Sequence, residues 1–186
     1  MQSPDYRKLA LEVLDAADDI RIAMLRGFLQ SLKSGLEQWA ADNPGGWLVH
    51  DDLTHDPLCR TGRYRWLSLR KQAWVDNYSI AMGPEYVGGK EVGLGVLAEE
   101  RRRGQSEENR RIKAKLDECS QGKASQNWPW WVDAPYSDWS RKDVLLDLSA
   151  NDGKDAADEV CGLMETVASQ VAETIDGIVG AAPSTS

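Results

Sequence analysis

Two periods divide the chain. From Tyr6 to Trp39 apolar side chains recur at helical steps: Tyr6, Ala10, Val13, Ala17, Ile20 and Met24, then Leu25, Phe28, Leu32, Leu36 and Trp39. Ser3-Pro4-Asp5 supplies a start, with a capping hydroxyl, a proline where no N–H is needed, and an acid at the positive end of the helix dipole. The stripe shifts at Asp18-Asp19, the place for a kink or a second N-cap, and Asn43-Pro44-Gly45-Gly46 stops it. The expected partner of this long helix is the protein's own sheet. The alternative is a seam between two copies, giving a homodimer through the N-terminal helix.

Between Arg63 and Leu97 the period falls to two. Tyr64 to Leu69 is aromatic and apolar, Tyr78-Ser79-Ile80-Ala81-Met82 alternates, and Val92, Leu94 and Val96 alternate with Gly93 and Gly95. Gly88-Gly89 marks a hairpin turn, and Trp47-Leu48-Val49-His50 is a further short strand. Gly93 and Gly95 on one face require a close neighbour, a helix or another backbone, and the first helix is the expected one.

Helical spacing returns afterwards. Glu99 to Lys123 mixes both charges and predicts a largely solvated helix to about Cys119, its stripe only Ile112, Leu116 and Cys119. Asn127 to Trp139 reads as a Pro-interrupted loop carrying Trp128, Trp130, Trp131 and Trp139, either a cover over the sheet or an exposed binding surface. Asp143 to Leu148 is a short apolar turn or helix. Val160, Met164, Val167, Val171, Ile175 and Val179 then mark a last helix ended by Gly180. The whole predicts one α+β domain over residues 1–180: an antiparallel sheet of about four strands, a long N-terminal helix and a C-terminal helix. Residues 181–186 are expected to be a disordered tail.

Composition narrows this picture in two ways. No apolar run approaches the ~18 residues that cross a bilayer, and the first residues lack a secretory pattern, so a cytoplasmic, membrane-free protein is expected. Cys59, Cys119 and Cys161 are odd in number and scattered, and are read as reduced thiols. Charge adds more. Residues 124–186 carry 11 acids and 3 bases, an excess of 8 that equals the entire net charge of −8. An acidic surface of this kind repels nucleic acid and draws basic partners, although acidity also simply confers solubility.

Candidate chemistry is sparse. His50, Asp52, His55 and Asp56 are the one dense group of potential ligands, and a metal-dependent nuclease or hydrolase built on them is the alternative function. An Asp-rich turn explains the same residues without a metal. No G-x-S-x-G elbow, Walker lysine or complete dinucleotide fingerprint occurs. A non-enzyme without cofactor is therefore expected, binding a protein with a basic surface through Trp128, Trp130, Trp131, Trp139, Asp155, Asp158, Glu159 and Glu165. Direct nucleic-acid binding is disfavoured. A phage-encoded inhibitor (anti-defence, anti-CRISPR-like) or an immunity-type protein, its carboxylates imitating phosphate, is the concrete form of that expectation. A dimerising scaffold on the first helix is a further alternative.

Trp74, Tyr78, Ile80, Gly93, Gly95, Trp130, Trp131 and Trp139, in that order along the chain, resemble the C-terminal accessory portion of bacterial and prophage proteins of the PD-(D/E)XK nuclease superfamily. That signature pairs an Asp with a later Glu-x-Lys, and no Glu-x-Lys occurs here, so the resemblance implies an accessory domain without nuclease activity.

Overall fold

The computed structural model describes residues 4–61, 64–104 and 106–180. Ser3, Arg63 and the 181–186 tail, each part of an expectation above, lie outside them.

Helix α1 runs unbroken over Pro4–Asp42, so Asp18-Asp19 starts no second helix. Its 39 residues extend about 58 Å at 1.5 Å per residue, longer than the sheet it serves. Leu25, Phe28, Leu29, Leu32 and Leu36 are buried, whereas Leu9, Val13 and Ile20 stand in solvent. Among the side chains described, it is the C-terminal half of the stripe that rests on the core.

Five strands follow as one antiparallel meander: β1 (Trp47–Asp51), β2 (Leu67–Lys71), β3 (Tyr78–Tyr86), β4 (Lys90–Ala98) and β5 (Trp130–Asp133), in that spatial order. The four expected strands are present, with the aromatic Tyr64–Leu69 stretch entering the sheet at Leu67. The fifth comes from the tryptophan segment read as a loop, because Trp130-Trp131-Val132-Asp133 pairs with Val96 to Gly93 along the edge of β4. Gly88 and Gly89 adopt positive φ in the β3–β4 hairpin. Helix α2 (Ser106–Asp117) crosses behind, α3 (Lys142–Ser149) is short, and α4 (Lys154–Gly180) returns along α1.

Period two sorts the sheet into faces. Leu67, Leu69, Tyr78, Ile80, Met82, Leu94 and Val96 form the inner face, paired across strands and buried against α1 and α4. On α4 the buried stripe is Val160, Met164, Val167, Val171, Ile175 and Ile178, one residue short of the expected Val179 at its end. Asp176 secures this layer: its carboxylate accepts the Trp74 indole N–H at 2.7 Å and the Lys71 ammonium at 2.5 Å. Trp39, Trp47 and Trp74 meet edge to face beside it, with 5.1 Å between successive rings. At the far side Glu108 joins α2 to the sheet, accepting from Arg102 at 2.8 Å and from the Tyr78 hydroxyl at 3.2 Å.

Candidate functional site: a cleft on the open face of the sheet

Among the described residues, no α-helix contributes to the cleft on the opposite face of the sheet. Leu48, His50, Ser68, Arg70, Ser79, Ala81, Gly83, Gly93, Gly95 and Leu97 fall there by register, and above them lies a cleft of about 520 Å³. Two tryptophans make its walls because glycines let them lie flat. A Cβ at Gly83 would stand 2.5 Å from the Trp66 ring, and one at Gly95 would stand 2.2 Å from the Trp130 carbonyl oxygen and 2.6 Å from the Trp131 Cα. The close neighbour of the β4 glycines is thus β5 with its Trp131, not the first helix. Trp128 caps a small second apolar cluster with Ala81 and Leu97, and meets Trp66 edge to face at 5.2 Å. Tyr64 stacks on the other side of Trp66 at 6.1 Å. Lys123 covers the Trp131 ring at 4.5 Å and pairs with Asp133.

The cleft is polar at both ends: Glu85 and Glu91 line one, and Arg70, Arg103 and Glu99 line the other. Glu85 and Glu91 both fall in the stretch between the pairs Pro84↔Val92 and Tyr86↔Lys90, a like-charge arrangement that costs stability. Burial pushes the Glu85 carboxyl above its ordinary range, the Trp128 indole N–H bonded to it pulls back, and Glu91 adds to the rise. Neither acid has an ion-pair partner among the described residues. Six residues back along β3, about 20 Å away at strand rise, Ser79 is 1% exposed. Its hydroxyl has no hydrogen-bond partner among the described residues, and neither has the buried Nε of Arg70. These two donors sit on neighbouring strands one position beyond the Leu69↔Ile80 pair, with Arg103 and Asn127 also on the cleft wall. Tyr64 and Glu91, both lining residues, hold positive φ (64° and 52°), a conformation bulky side chains adopt only under constraint.

The residues expected to meet a partner are placed differently from one another. Trp130 and Trp139 are core, and Trp128 is 5% exposed beneath the cleft, so none offers a free surface; each indole is needed to close a packed layer. Trp131 alone of the four is half-buried. On α4, Asp155, Asp158 and Glu159 are exposed and Glu165 is half-buried. Glu159 accepts the Tyr136 hydroxyl at 2.8 Å, and Glu165 lies 3.0 Å from the Cys161 sulfur. Burial and that carboxylate push the Cys161 thiol up to about 12, leaving it protonated and unreactive.

The His50–Asp56 segment divides rather than converging. His50 is exposed on β1 and lines the cleft, and His55 is exposed on the loop. Asp52 accepts the Trp66 amide at 2.7 Å. Asp56 is buried, accepting from the Thr61 amide at 2.7 Å, the Thr61 hydroxyl at 2.6 Å and the Arg60 amide at 3.0 Å. Both carboxylates spend their lone pairs on tying the loop. Among the described residues no three His, Cys, Asp or Glu side chains come together as a metal site.

Ser79, Arg70, Glu85, Tyr64 and Trp66 were not singled out by pattern. The signal was available: Ser79, Ala81 and Gly83 alternate with Tyr78, Ile80 and Met82, small residues opposite large ones, which leaves space on one face of a central strand. Of the residues carrying the nuclease-superfamily resemblance, Trp74, Tyr78, Ile80, Trp130 and Trp139 are core, while Gly93, Gly95 and Trp131 belong to the cleft face. Comparison with protein-family models, curated proteins and solved structures gave no match.

Proposed function

We propose that this is a non-catalytic recognition domain that holds part of a protein partner in the cleft on the open face of the sheet. The observation supporting this is the unpartnered Ser79 hydroxyl, buried on the floor of an aromatic-walled cleft. A buried hydroxyl without a partner costs about 1–3 kcal/mol, a penalty a domain keeps where a ligand completes the bond. Recognition fits better than catalysis. Ser79 has no base within hydrogen-bond reach among the described residues.

A second reading keeps the partner but moves the surface. Asp155, Asp158 and Glu159 are exposed together on the first turns of α4, an acidic face suited to a basic, nucleic-acid-binding protein and to the inhibitor or immunity-type role. Site-specific photo-cross-linking separates the two. Benzoylphenylalanine placed at His50 or Tyr64 should give covalent adducts with a partner in a lysate, and the same group at Asp158 should not. Adducts from Asp158 alone would overturn the cleft in favour of the acidic helix.

A further inference from the structure

Resting on the cleft reading, the geometry points to a specific occupant: we infer that the cleft takes an extended peptide segment of a partner protein. Its arginine or lysine side chain lies between Glu85 and Glu91, and its carbonyl oxygens meet Ser79 and Arg70. Three features converge on this. The first is charge. Glu85 on β3 and Glu91 on β4 line the same end of the cleft with no ion-pair partner among the described residues, so a cation between them relieves a repulsion already built into the sheet.

The second is the ring arrangement around that end. Trp66 stands between Tyr64 on one side, stacked at 6.1 Å with 26° between planes, and Trp128 on the other, edge to face at 87°. With Trp66 and Trp128 packed against each other, the exposed Tyr64 ring is the face left open beside the carboxylates, and such a face attracts a guanidinium or ammonium and leaves its alkyl stem in apolar contact. The third is the far end. The Arg70 Nε–H is a donor and the Ser79 hydroxyl both donor and acceptor, each buried and unpartnered among the described residues, so an acceptor oxygen would satisfy either. A backbone carbonyl supplies one. The ~20 Å between the ends, from strand rise, is the reach of several extended residues and exceeds that of one free amino acid. Phosphate-bearing ligands fit poorly, because the carboxylate end repels them.

The test uses the full chain and two capped peptides of identical sequence, Gly-Gly-Arg-Gly-Gly and its neutral isostere with citrulline for arginine. Binding is followed by two-dimensional NMR of the indole and backbone N–H groups. The arginine peptide should move the Trp66 and Trp128 indole signals and the Ser79 amide, and the citrulline peptide should bind on the order of tenfold more weakly. The double substitution Glu85→Gln with Glu91→Gln should abolish the difference between the peptides, its remaining amide spectrum reporting an intact fold. Equal binding of both peptides at the cleft would overturn the cation and leave the cleft standing as a recognition surface. Failure of either peptide to move any cleft signal at tens of millimolar would overturn the peptide occupant, whatever the cross-linking shows.

Discussion

Replacing Ser79 by alanine should make the protein more stable. Its hydroxyl is buried on the central strand, 1% exposed, with no acceptor or donor among the described residues. Desolvating a hydroxyl without a compensating bond costs about 1–3 kcal/mol, and alanine removes that cost. Two smaller terms oppose it: a cavity about the size of one oxygen atom, and the weaker strand preference of alanine, each worth tenths of a kcal/mol. The expected net gain is about 0.5–2 kcal/mol, or roughly 1–8 °C in Tm at 2–4 °C per kcal/mol for a chain of this size. Urea unfolding followed in parallel by tryptophan fluorescence and far-ultraviolet circular dichroism measures it, with an unchanged m-value required for the comparison. A loss of stability would refute the reasoning, since it would mean that the hydroxyl is satisfied in the free protein. The same substitution should weaken peptide binding, the mark of a side chain kept for a ligand and not for the fold.

Other substitutions test the layers around the cleft. Gly95→Ala sets a Cβ 2.2 Å from a β5 carbonyl oxygen and should detach β5, costing about 3 kcal/mol or more by backbone displacement in the same urea assay. Asp176→Ala leaves the Trp74 indole N–H without its 2.7 Å acceptor and should cost about 1–3 kcal/mol, whereas Asp176→Asn keeps an acceptor and should cost less. The Asp56 carboxyl feels burial, which raises its pKa, yet its bonds to Thr61 and Arg60 and the nearby Arg65 bring it below the ordinary value of 3.8. A depressed native value means that Asp56 contributes stability above its unfolded pKa and loses it as pH falls through the folded one. Acid unfolding of Asp56→Asn should therefore be flatter below about pH 4, and an unchanged acid limb would count against that role.

Much of the architecture was legible because burial on one side writes a period into the sequence. Tyr78, Ile80 and Met82 alternate since one face meets α1 and α4, and the α4 stripe shows where a helix meets that face. The fifth strand was obscured by composition. Trp130 faces the core and Trp131 the cleft, so both positions are aromatic and no alternation shows; the prolines at 129 and 135 flank the four paired residues and suggested a loop. The part of α1 around the exposed Val13 and Ile20 was misassigned for the opposite reason. Its stripe is as regular as the buried half, and periodicity records a helix face without recording what covers it. The cleft was the least legible part, since Glu85 and Glu91 are brought together by the β3–β4 hairpin, and Ser79 stands out because no described residue bonds to its hydroxyl.

The two faces of the sheet also carry separate apolar clusters. One large cluster joins the inner face to α1, α2, α3 and α4, while Ala81, Leu97 and Trp128, with Trp66 and Trp131 against them, form a separate cluster on the outer face. Adjacent residues on each central strand contribute to both: Ile80 to the first and Ala81 to the second, Val96 to the first and Leu97 to the second. The sheet is thus a shared partition. A rigid, fully packed inner layer fixes strand register, and register fixes the distance between the Glu85–Glu91 pair and the Ser79–Arg70 pair. Side chains on the outer layer carry costs that the inner layer offsets: a like-charge pair, two unpartnered donors and left-handed backbone at Tyr64 and Glu91. Comparable costs also lie away from the cleft, at the buried Thr54 hydroxyl and in the left-handed backbone of Asp76, Tyr136 and Asn151, so what sets the cleft apart is that its costs line one cavity.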